Sequence, residues 1–440
     1  MGGHNPITLH SVNEDLFAYM WSLIAETMVP ELQFTRYTKE SIAMLVSQKN
    51  DCPMCVTAHR MMSIAAERAE SVLHHSAHGK YNQQRITNAQ GKTITVCPEC
   101  SHQCRRHSYA MAYAEQIIEQ SMICRKENFL GGEQGRESAT SSRDDDHNNI
   151  PLHEKEKAEI ALIVLLFFHM NRSVSALLGE QLSTAMLRVP RPVASRMERD
   201  GPMRFMSKLM APFMASRVRN NLYPPGMISS KLFATSTSDS CDDYVATMDH
   251  PNNKDKEDSD DSTTNADADD QRDDNAPSSA TSSSSSLSFE DIVPEHLQGI
   301  RLAGEERAKA VVRLLRWTED LYQTNATLHG IVSPAMLEFL DHPQNTKPPA
   351  DLPPYEICRW ATSVVRNCDF TANAATTPTQ RAVATVLFLV SVAPQCVFGS
   401  PYWKHMVEAL EGGESFARTT VLWWSLRFTL RNAKGLSLSK

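Results

Sequence analysis

The sequence predicts an all-α protein in which two helical regions flank a long polar segment. Apolar residues recur at helical spacing in both regions, as at Leu16, Met20 and Leu23 near the start of the chain. The alternating pattern that is typical of strands occurs in one short stretch only. Residues 236–288 are rich in Asp, Ser, Thr and Asn and hold few apolar side chains. They therefore cannot offset the entropy of folding, and we expect a disordered linker there.

The 440 residues are enough for two or three domains. We predict a helical domain at residues 1–187, a connecting helix at 188–235, the acidic linker at 236–288 and a second helical domain at 289–440. The connecting helix is basic and rich in Met, with nine Lys or Arg and six Met against two acids between Arg188 and Lys231. Such a helix either lies on a membrane surface or partner, or packs on the first domain or a sister subunit.

The net charge of −8 is concentrated in the linker. Asp239–Asp274 holds 14 acidic residues and 3 Lys or Arg, so the rest of the chain carries a net charge of +3. We therefore expect no nucleic-acid partner. The N-terminus has neither an apolar core nor an Arg-rich amphipathic pattern, which favours a cytoplasmic location. The longest apolar runs, Ile160–Met170 and Ala382–Ala393, are too short to cross a bilayer, so we expect buried helices and no transmembrane segment.

The first region predicts three successive helices. The first covers Val12–Met28 and ends before Pro30, and the second, capped by Thr38, contains Glu40. The third begins at Pro53, since proline suits the first turn of a helix, and extends to about His75.

An insertion at about residues 74–104 interrupts the helical pattern. Ile86–Val96 contains the turn-forming sequence Asn88–Gly91 between alternating residues, which predicts a small hairpin. The chain then predicts a helix at Tyr109–Glu127, a disordered polar loop at 131–149, and an apolar helix that begins near Glu159.

Three cysteines follow the hairpin at short spacing. Cys97, Cys100 and Cys104 are arranged as in a zinc knuckle, for which a nearby histidine would complete the ligand set. The alternative is an exposed insertion with incidental thiols. A structural zinc ion is therefore a possible cofactor here, and no other cofactor is predicted.

A second cysteine pair has the pattern C-x-x-C-x-x-x-H. Cys52, Cys55 and His59 fall within roughly 60° of one another on a helix, and Cys55 is one turn from His59. Glu40 lies twelve residues before Cys52, and an antiparallel pair of helices would bring it level with His59. A dithiol, an imidazole and a carboxylate in one pocket are suited to thiol redox chemistry. The alternative for the pair is half of a zinc site.

This arrangement resembles the AhpD-like alkylhydroperoxidases of the carboxymuconolactone decarboxylase superfamily. The resemblance covers roughly residues 12–180 and includes the apolar helix from Glu159 to Gly179, with its Asn171–Arg172 pair. Met54 stands where some members of the family have a histidine. The resemblance implies a thiol-dependent peroxidase that oxidises its dithiol to a disulfide, and a homo-oligomer. It also implies an external dithiol reductant, either lipoyl-bearing or thioredoxin-like.

The family relay, read onto this chain, assigns a role to each residue of the motif. It implies that Cys55 attacks the peroxide, Cys52 resolves the intermediate, His59 acts as base and Glu40 orients His59. The position of Cys52 at a helix N-terminus favours Cys52 as the attacking thiol instead. The distance of two helical turns between Cys52 and His59 favours Cys55.

The C-terminal region predicts helices at Leu302–Thr324, Pro354–Asn367, Pro378–Val392 and Phe416–Asn432. A degenerate second AhpD-like copy would align Cys396 with Cys52 and place Ala384, Gly399 and Trp403 at the Glu40, Cys55 and His59 positions. The alternative is an unrelated helical bundle with one buried cysteine. In either case we expect no thiol chemistry in this half. Two further functions remain open: a sestrin-like regulatory scaffold, whose plan this arrangement resembles, and a lactone decarboxylase, whose family members generally lack the dithiol.

Overall fold

The computed structural model describes ten parts of the chain. They are residues 6–77, 84–87, 93–96, 98–120, 152–178, 224–233, 293–341, 352–368, 377–398 and 400–432, without the side chains of 68–105 and 120. The predicted polar loop at 131–149, the linker at 236–288 and most of the connecting helix at 188–235 lie outside these residues.

The N-terminal half consists of helices and one hairpin. A 3-10 helix at Thr8–Val12 precedes these elements: α1 Glu14–Met28, α2 Arg36–Lys49, α3 Pro53–Ala77, β1 Gln84–Thr87, β2 Thr93–Val96, α4 Pro98–Gln120, α5 Glu154–Leu178 and α6 Met227–Phe233. The predicted all-α class is confirmed for the described residues, apart from this hairpin.

The C-terminal half is helical throughout its described residues. A 3-10 helix at Glu295–Ala303 and a 3-10 turn at Pro394–Cys396 accompany these helices: α7 Glu305–Thr324, α8 Ala326–Ile331, α9 Pro334–Asp341, α10 Pro354–Arg366, α11 Pro378–Val392, α12 Pro401–Ala409 and α13 Gly413–Asn432. The predicted bounds of α11 are met because Thr377 and Gln380 form a capping box around Pro378.

The hairpin follows its predicted position, whereas the next helix begins earlier than predicted. β1 and β2 pair antiparallel in a register that places Ile86 opposite Ile94. Helix α4 starts at Pro98 and not at Tyr109. Pro98 can occupy the first helical turn, and the run that follows has no residue that breaks a helix. Cys100 and Cys104 thus lie on a helix and not in a knuckle loop.

Helix α5 is the central element of the fold. It is long and apolar enough to cross a membrane, with a mean hydropathy of 1.7, but 94% of that 18-residue window is buried within the described structure. It packs against α2, α4 and the 3-10 helix at Glu295–Ala303, and also against α13 from the C-terminal half. The two halves therefore share one continuous hydrophobic core, and packing in that core accounts for the apolar composition of α5.

A buried ionic network joins the two halves at the start of α5. The Lys39 Nζ atom lies 2.6 Å from Glu159 Oε1, and both side chains are fully buried. The guanidinium of Arg307, on α7, reaches the same carboxylate at 3.3 Å. The remaining polar atoms are satisfied: Lys39 donates to the carbonyls of Thr27 and Pro30, and Glu159 Oε2 accepts from the Gln33 N–H. Burial lowers the pKa of Lys39 to about 8, against the opposing effect of Glu159.

A chain of buried hydrogen bonds joins the halves a second time. His10 Nε2 lies 3.0 Å from His169 Nε2, and His169 Nδ1 lies 3.1 Å from the Ser425 hydroxyl on α13. His10 Nδ1 faces the Ile7 carbonyl at 3.4 Å, so this nitrogen carries the proton and His10 Nε2 accepts from His169. Two neutral rings satisfy this network, whereas protonation of both rings would place two N–H groups against each other. Burial lowers the pKa of His10 to about 4 and the pKa of His169 well below its usual range.

The neutral histidine pair predicts a loss of stability in mild acid. A base with a lowered pKa in the folded state takes up its proton on unfolding. Its contribution is therefore complete above the unfolded pKa of 6.5 and is lost as the pH falls toward about 4. We expect His10 to account for about 3 kcal/mol of the free energy of unfolding over this range. The measurement is urea unfolding at several pH values between 7 and 4.

The comparison needs two variants, because other groups also titrate in this range. His10→Asn should flatten the dependence of stability on pH, since it removes one titrating ring. His153→Asn, at an exposed position just before α5, should leave that dependence unchanged. Equal slopes for wild type and His10→Asn would contradict the assignment of the acid sensitivity to the buried pair.

Candidate functional site

The connection between α2 and α3 sets the position of the first cysteine. Asp51 adopts a left-handed conformation with φ 51°, which Asp tolerates better than most residues. The Cys52 N–H then bonds the Ser47 carbonyl at 3.0 Å and the Asp51 N–H bonds the Gln48 carbonyl at 3.2 Å, the two bonds of a Schellman motif. The Val56 N–H bonds the Cys52 carbonyl, so α3 begins immediately after Cys52. One tight turn thus places Cys52 at a helix N-terminus.

Cys52 and Cys55 form a buried, reduced thiol pair. Their exposed fractions are 2% and 6%, and neither forms a disulfide. The thiol of Cys55 hydrogen-bonds to the sulfur of Cys52, and this bond lowers the pKa of Cys52 despite its burial. The same bond, together with burial, raises the pKa of Cys55 well above its usual range. The hydrogen bond between the two thiols therefore lowers the pKa of Cys52 and raises the pKa of Cys55.

Helix α5 contacts both the thiol pair and the turn that precedes it. The Ser175 side chain hydrogen-bonds to Cys52 and lowers the pKa of that thiol further. The Asn171 side-chain oxygen accepts a hydrogen bond of 3.2 Å from the Ser47 hydroxyl, and Ser47 is the residue whose carbonyl holds the Cys52 N–H. Two positions on one face of α5 therefore fix both the sulfur and the turn that carries it.

Glu40 and His59 lie in direct contact, as the helix geometry predicts. His59 Nδ1 and Glu40 Oε2 are 2.7 Å apart across the α2–α3 pair, so Nδ1–H donates to the carboxylate. Arg36, one turn earlier on α2, lies 2.5 Å from the other carboxylate oxygen. Burial alone would raise the pKa of Glu40, but Arg36 and His59 outweigh it and hold that pKa below its usual value. An ionised Glu40 leaves His59 Nε2 as the free basic nitrogen.

Phe167 completes the surroundings of the imidazole. Its ring meets that of His59 edge-on, with 4.4 Å between centroids and 84° between planes. The His59 side chain keeps a 14% exposed fraction, against 1% for Glu40. The dyad therefore extends from a fully buried carboxylate to an imidazole that solvent can still reach.

Three residues of this site carry no signal in the cysteine motif. Arg36 precedes Glu40 by four residues, so helical spacing alone could have identified it. Phe167 and Ser175 lie more than a hundred residues from the cysteines and are brought in by the packing of α5. Phe167 and Ser175 each lie four residues from Asn171, one before it and one after it, and therefore share its face of α5. This spacing becomes informative once α5 is known to cover the site.

The described part of the structure does not include the side chains of the predicted zinc ligands. Cys97 lies outside the described residues, as do the side chains of Cys100 and Cys104. Among the side chains that the structure describes, no group of three or more His, Cys, Asp or Glu residues could hold a metal ion. The zinc site remains a prediction.

The C-terminal half lacks counterparts of Glu40, Cys55 and His59 at the aligned positions. Ala384 is buried in α11, Trp403 lies in α12, and Gly399 falls outside the described residues. A helix begins directly after Cys52, whereas α12 begins five residues after Cys396, at Pro401. The repeat remains a prediction.

A cavity of about 520 Å³ lies between α10, α11 and α12, well away from the thiol pair in sequence. Its lining includes the side chains of Arg366, Arg381, Tyr402, His405 and Glu408. None of the residues predicted for the redox site contributes to it.

Comparisons with protein-family models, with curated proteins and with solved structures find no match for this chain.

Proposed function

We propose that this protein is a thiol-dependent peroxidase whose Cys52–Cys55 pair reduces hydroperoxides. The observation that supports this most strongly is the hydrogen bond between Glu40 and His59, placed one helical turn from a hydrogen-bonded pair of reduced thiols. A carboxylate that orients a histidine also occurs in zinc sites. A peroxidase uses the oriented base and the thiol pair together, because the reaction moves protons as well as electrons.

The reaction balances with the groups present. A thiolate attacks the terminal oxygen of the hydroperoxide, the O–O bond breaks, and the sulfur becomes a sulfenic acid. His59 takes the proton of the attacking thiol and then gives it to the alkoxide or hydroxide that leaves, so an alcohol or water departs. The second thiol then attacks the sulfenic sulfur, a disulfide forms, and water is released. An external dithiol, lipoyl-bearing or thioredoxin-like, returns both thiols by exchange.

The lowered pKa of Cys52 is one consideration in the choice of attacking sulfur, and access to solvent and to the base is the other. Cys55 is the more exposed sulfur and lies one turn from His59. Access and the nearby base therefore support Cys55 as the attacking thiol and Cys52 as the resolving one.

Removing the dyad should slow the first oxidation step without removing the thiols. His59→Ala deletes the base, and Glu40→Gln weakens the hydrogen bond that orients it. We expect each change to lower the rate of the first step by about 100-fold. The measurement is rapid mixing with hydrogen peroxide under single-turnover conditions, with the sulfenic acid trapped and quantified by mass spectrometry.

A matched control separates the site from general effects of charge. Glu115→Gln makes the same chemical change at an exposed carboxylate on α4 that pairs with Lys49. Its oxidation rate should equal that of the wild type. Equal rates in Glu40→Gln and Glu115→Gln, with both proteins folded, would refute the proposed role of the dyad.

A sestrin-like regulatory protein is a second candidate. It is favoured by the C-terminal half, which lacks counterparts of Glu40, Cys55 and His59 at the aligned positions and has an open cavity lined by charged side chains. A pull-down with wild type and with an Arg366→Ala, Arg381→Ala variant distinguishes the two. If the protein is regulatory, the wild type should bind a specific partner that the variant does not bind. If it is a peroxidase alone, wild type and variant should recover the same proteins.

A further inference from the structure

A second pair of thiols lies in contact within the C-terminal half. Cys358 is on α10, and Cys396 ends the 3-10 turn at Pro394–Cys396, 38 residues later in the chain. The Cys358 sulfur lies 3.7 Å from the Cys396 carbonyl oxygen, and the two thiol groups are hydrogen-bonded to each other. Their exposed fractions of 8% and 3% are close to those of the first pair.

This contact is unlike the environment of the neighbouring cysteine. Cys368, just beyond the end of α10, bonds the Val364 carbonyl at 3.3 Å, and burial raises its pKa. Cys358 differs because the hydrogen bond from Cys396 lowers its pKa and offsets burial. The Cys358 thiol donates to the Cys396 carbonyl oxygen, and a second thiol lies within its reach.

We propose that Cys358 and Cys396 form a second redox-active dithiol, which a hydroperoxide converts to a disulfide. The Cys358 sulfur attacks the terminal oxygen of the hydroperoxide and the O–O bond breaks. The leaving oxygen takes up the proton that the Cys358 thiol releases, so water or an alcohol departs and a sulfenic acid remains. The Cys396 thiol then attacks this sulfur, a disulfide forms, and the sulfenic oxygen leaves as water. Two thiols are oxidised and one hydroperoxide is reduced. Thiols in hydrogen-bond contact need only small side-chain rotations to reach the ~2.05 Å length of a disulfide.

The disulfide would constrain the helices around the first site. It would tie α10 to the turn at Pro394–Cys396, and that turn packs against α5. Helix α5 also carries Phe167 and Ser175, which contact His59 and Cys52. A disulfide in the second pair would therefore form when the C-terminal half is oxidised, and it would stiffen α5, the helix that both halves share.

The test is a disulfide map of the full-length protein after treatment with hydrogen peroxide. Free thiols are blocked with iodoacetamide before trypsin digestion. Arg359, Arg366 and Arg381 lie between the two cysteines, so trypsin separates them and the disulfide joins two distinct peptides. We expect the Cys358–Cys396 linked peptide to form with peroxide and to disappear on treatment with dithiothreitol. The melting temperature should rise by roughly 5 °C on oxidation, because a loop of this length is closed.

Two variants make the assignment specific. Cys358→Ser should remove both the linked peptide and the rise in melting temperature, whereas Cys368→Ser should keep both. A Cys52→Ser, Cys55→Ser double variant should also keep the linked peptide, since the second pair does not depend on the first. Free alkylation of both Cys358 and Cys396 after peroxide, or a link from Cys358 to any other cysteine, would overturn the proposal. Both readouts on the wild-type protein remain decisive even where a variant fails to fold.

Discussion

In a Cys358→Ser background, which removes the second thiol pair, a Cys52→Ser variant is expected to consume about one equivalent of hydroperoxide and then stop, whereas Cys55→Ser should not react at a comparable rate. Both variants should lose catalytic turnover by about 1,000-fold or more, because the cycle needs two sulfurs. The asymmetry follows from the position of Cys55, which is the more exposed thiol and lies one turn from His59. In Cys52→Ser the sulfenic acid should accumulate on Cys55, since no resolving thiol remains.

The measurement is a chemical trap for sulfenic acid followed by peptide mass spectrometry. Serine is the matched substitution because its hydroxyl preserves the size and much of the hydrogen bonding of the thiol. The lowered pKa of Cys52 provides the competing expectation. Sulfenic acid on Cys52 in the Cys55→Ser variant, formed at the wild-type rate, would assign the attack to Cys52 and leave Cys55 as the resolving thiol.

The second large effect concerns stability. Glu159→Gln should lower the free energy of unfolding by about 3–5 kcal/mol, because it leaves the buried cations Lys39 and Arg307 without their shared anion. The carboxylate contacts both at 2.6 and 3.3 Å in a site without solvent. Urea unfolding followed by circular dichroism measures the change.

A control variant on the same helix tests whether the loss of stability is specific to the buried carboxylate. Glu154→Gln removes an exposed carboxylate that pairs with Lys157, and it should cost about 0.5 kcal/mol or less. Replacement of all three buried charges by apolar residues (Lys39→Met, Glu159→Leu, Arg307→Met) should recover most of the loss, since no unpaired ion remains. A cost for Glu159→Gln no larger than that for Glu154→Gln would show that the network does not hold the halves together.

The parts of the site that the sequence predicts are those that local geometry determines. Cys52, Cys55 and His59 share one helix, and Glu40 reaches His59 because α2 and α3 form an antiparallel pair joined by a tight turn. Rise per residue and angle per residue are enough for this prediction. The hairpin is predictable for the same reason, because its turn residues and alternation lie within about a dozen positions.

The missed features depend on contacts between distant segments. Ser175 and Phe167 reach the thiol site through α5, and Cys358 meets Cys396 through the packing of α10. Sequence spacing holds no information on such pairs. The early start of α4 was missed for another reason: closely spaced cysteines were interpreted as metal ligands, although Pro98 is compatible with a first helical turn. The expectation of a single buried cysteine in the C-terminal half was wrong, because Cys358 is buried beside Cys396.

Helix α5 takes polar partners from the C-terminal half of the chain, and this has a consequence for biosynthesis. Glu159 takes Arg307 as a partner from α7, and His169 takes Ser425 from α13. While the chain is still emerging from the ribosome, α5 therefore carries an unmatched carboxylate and an incomplete hydrogen-bond chain, although both cysteines of the first pair are already present. These two contacts of α5 can form only after α7 and α13 have been translated. The polar partners of the central helix are therefore complete only when nearly all of the described fold has been synthesised.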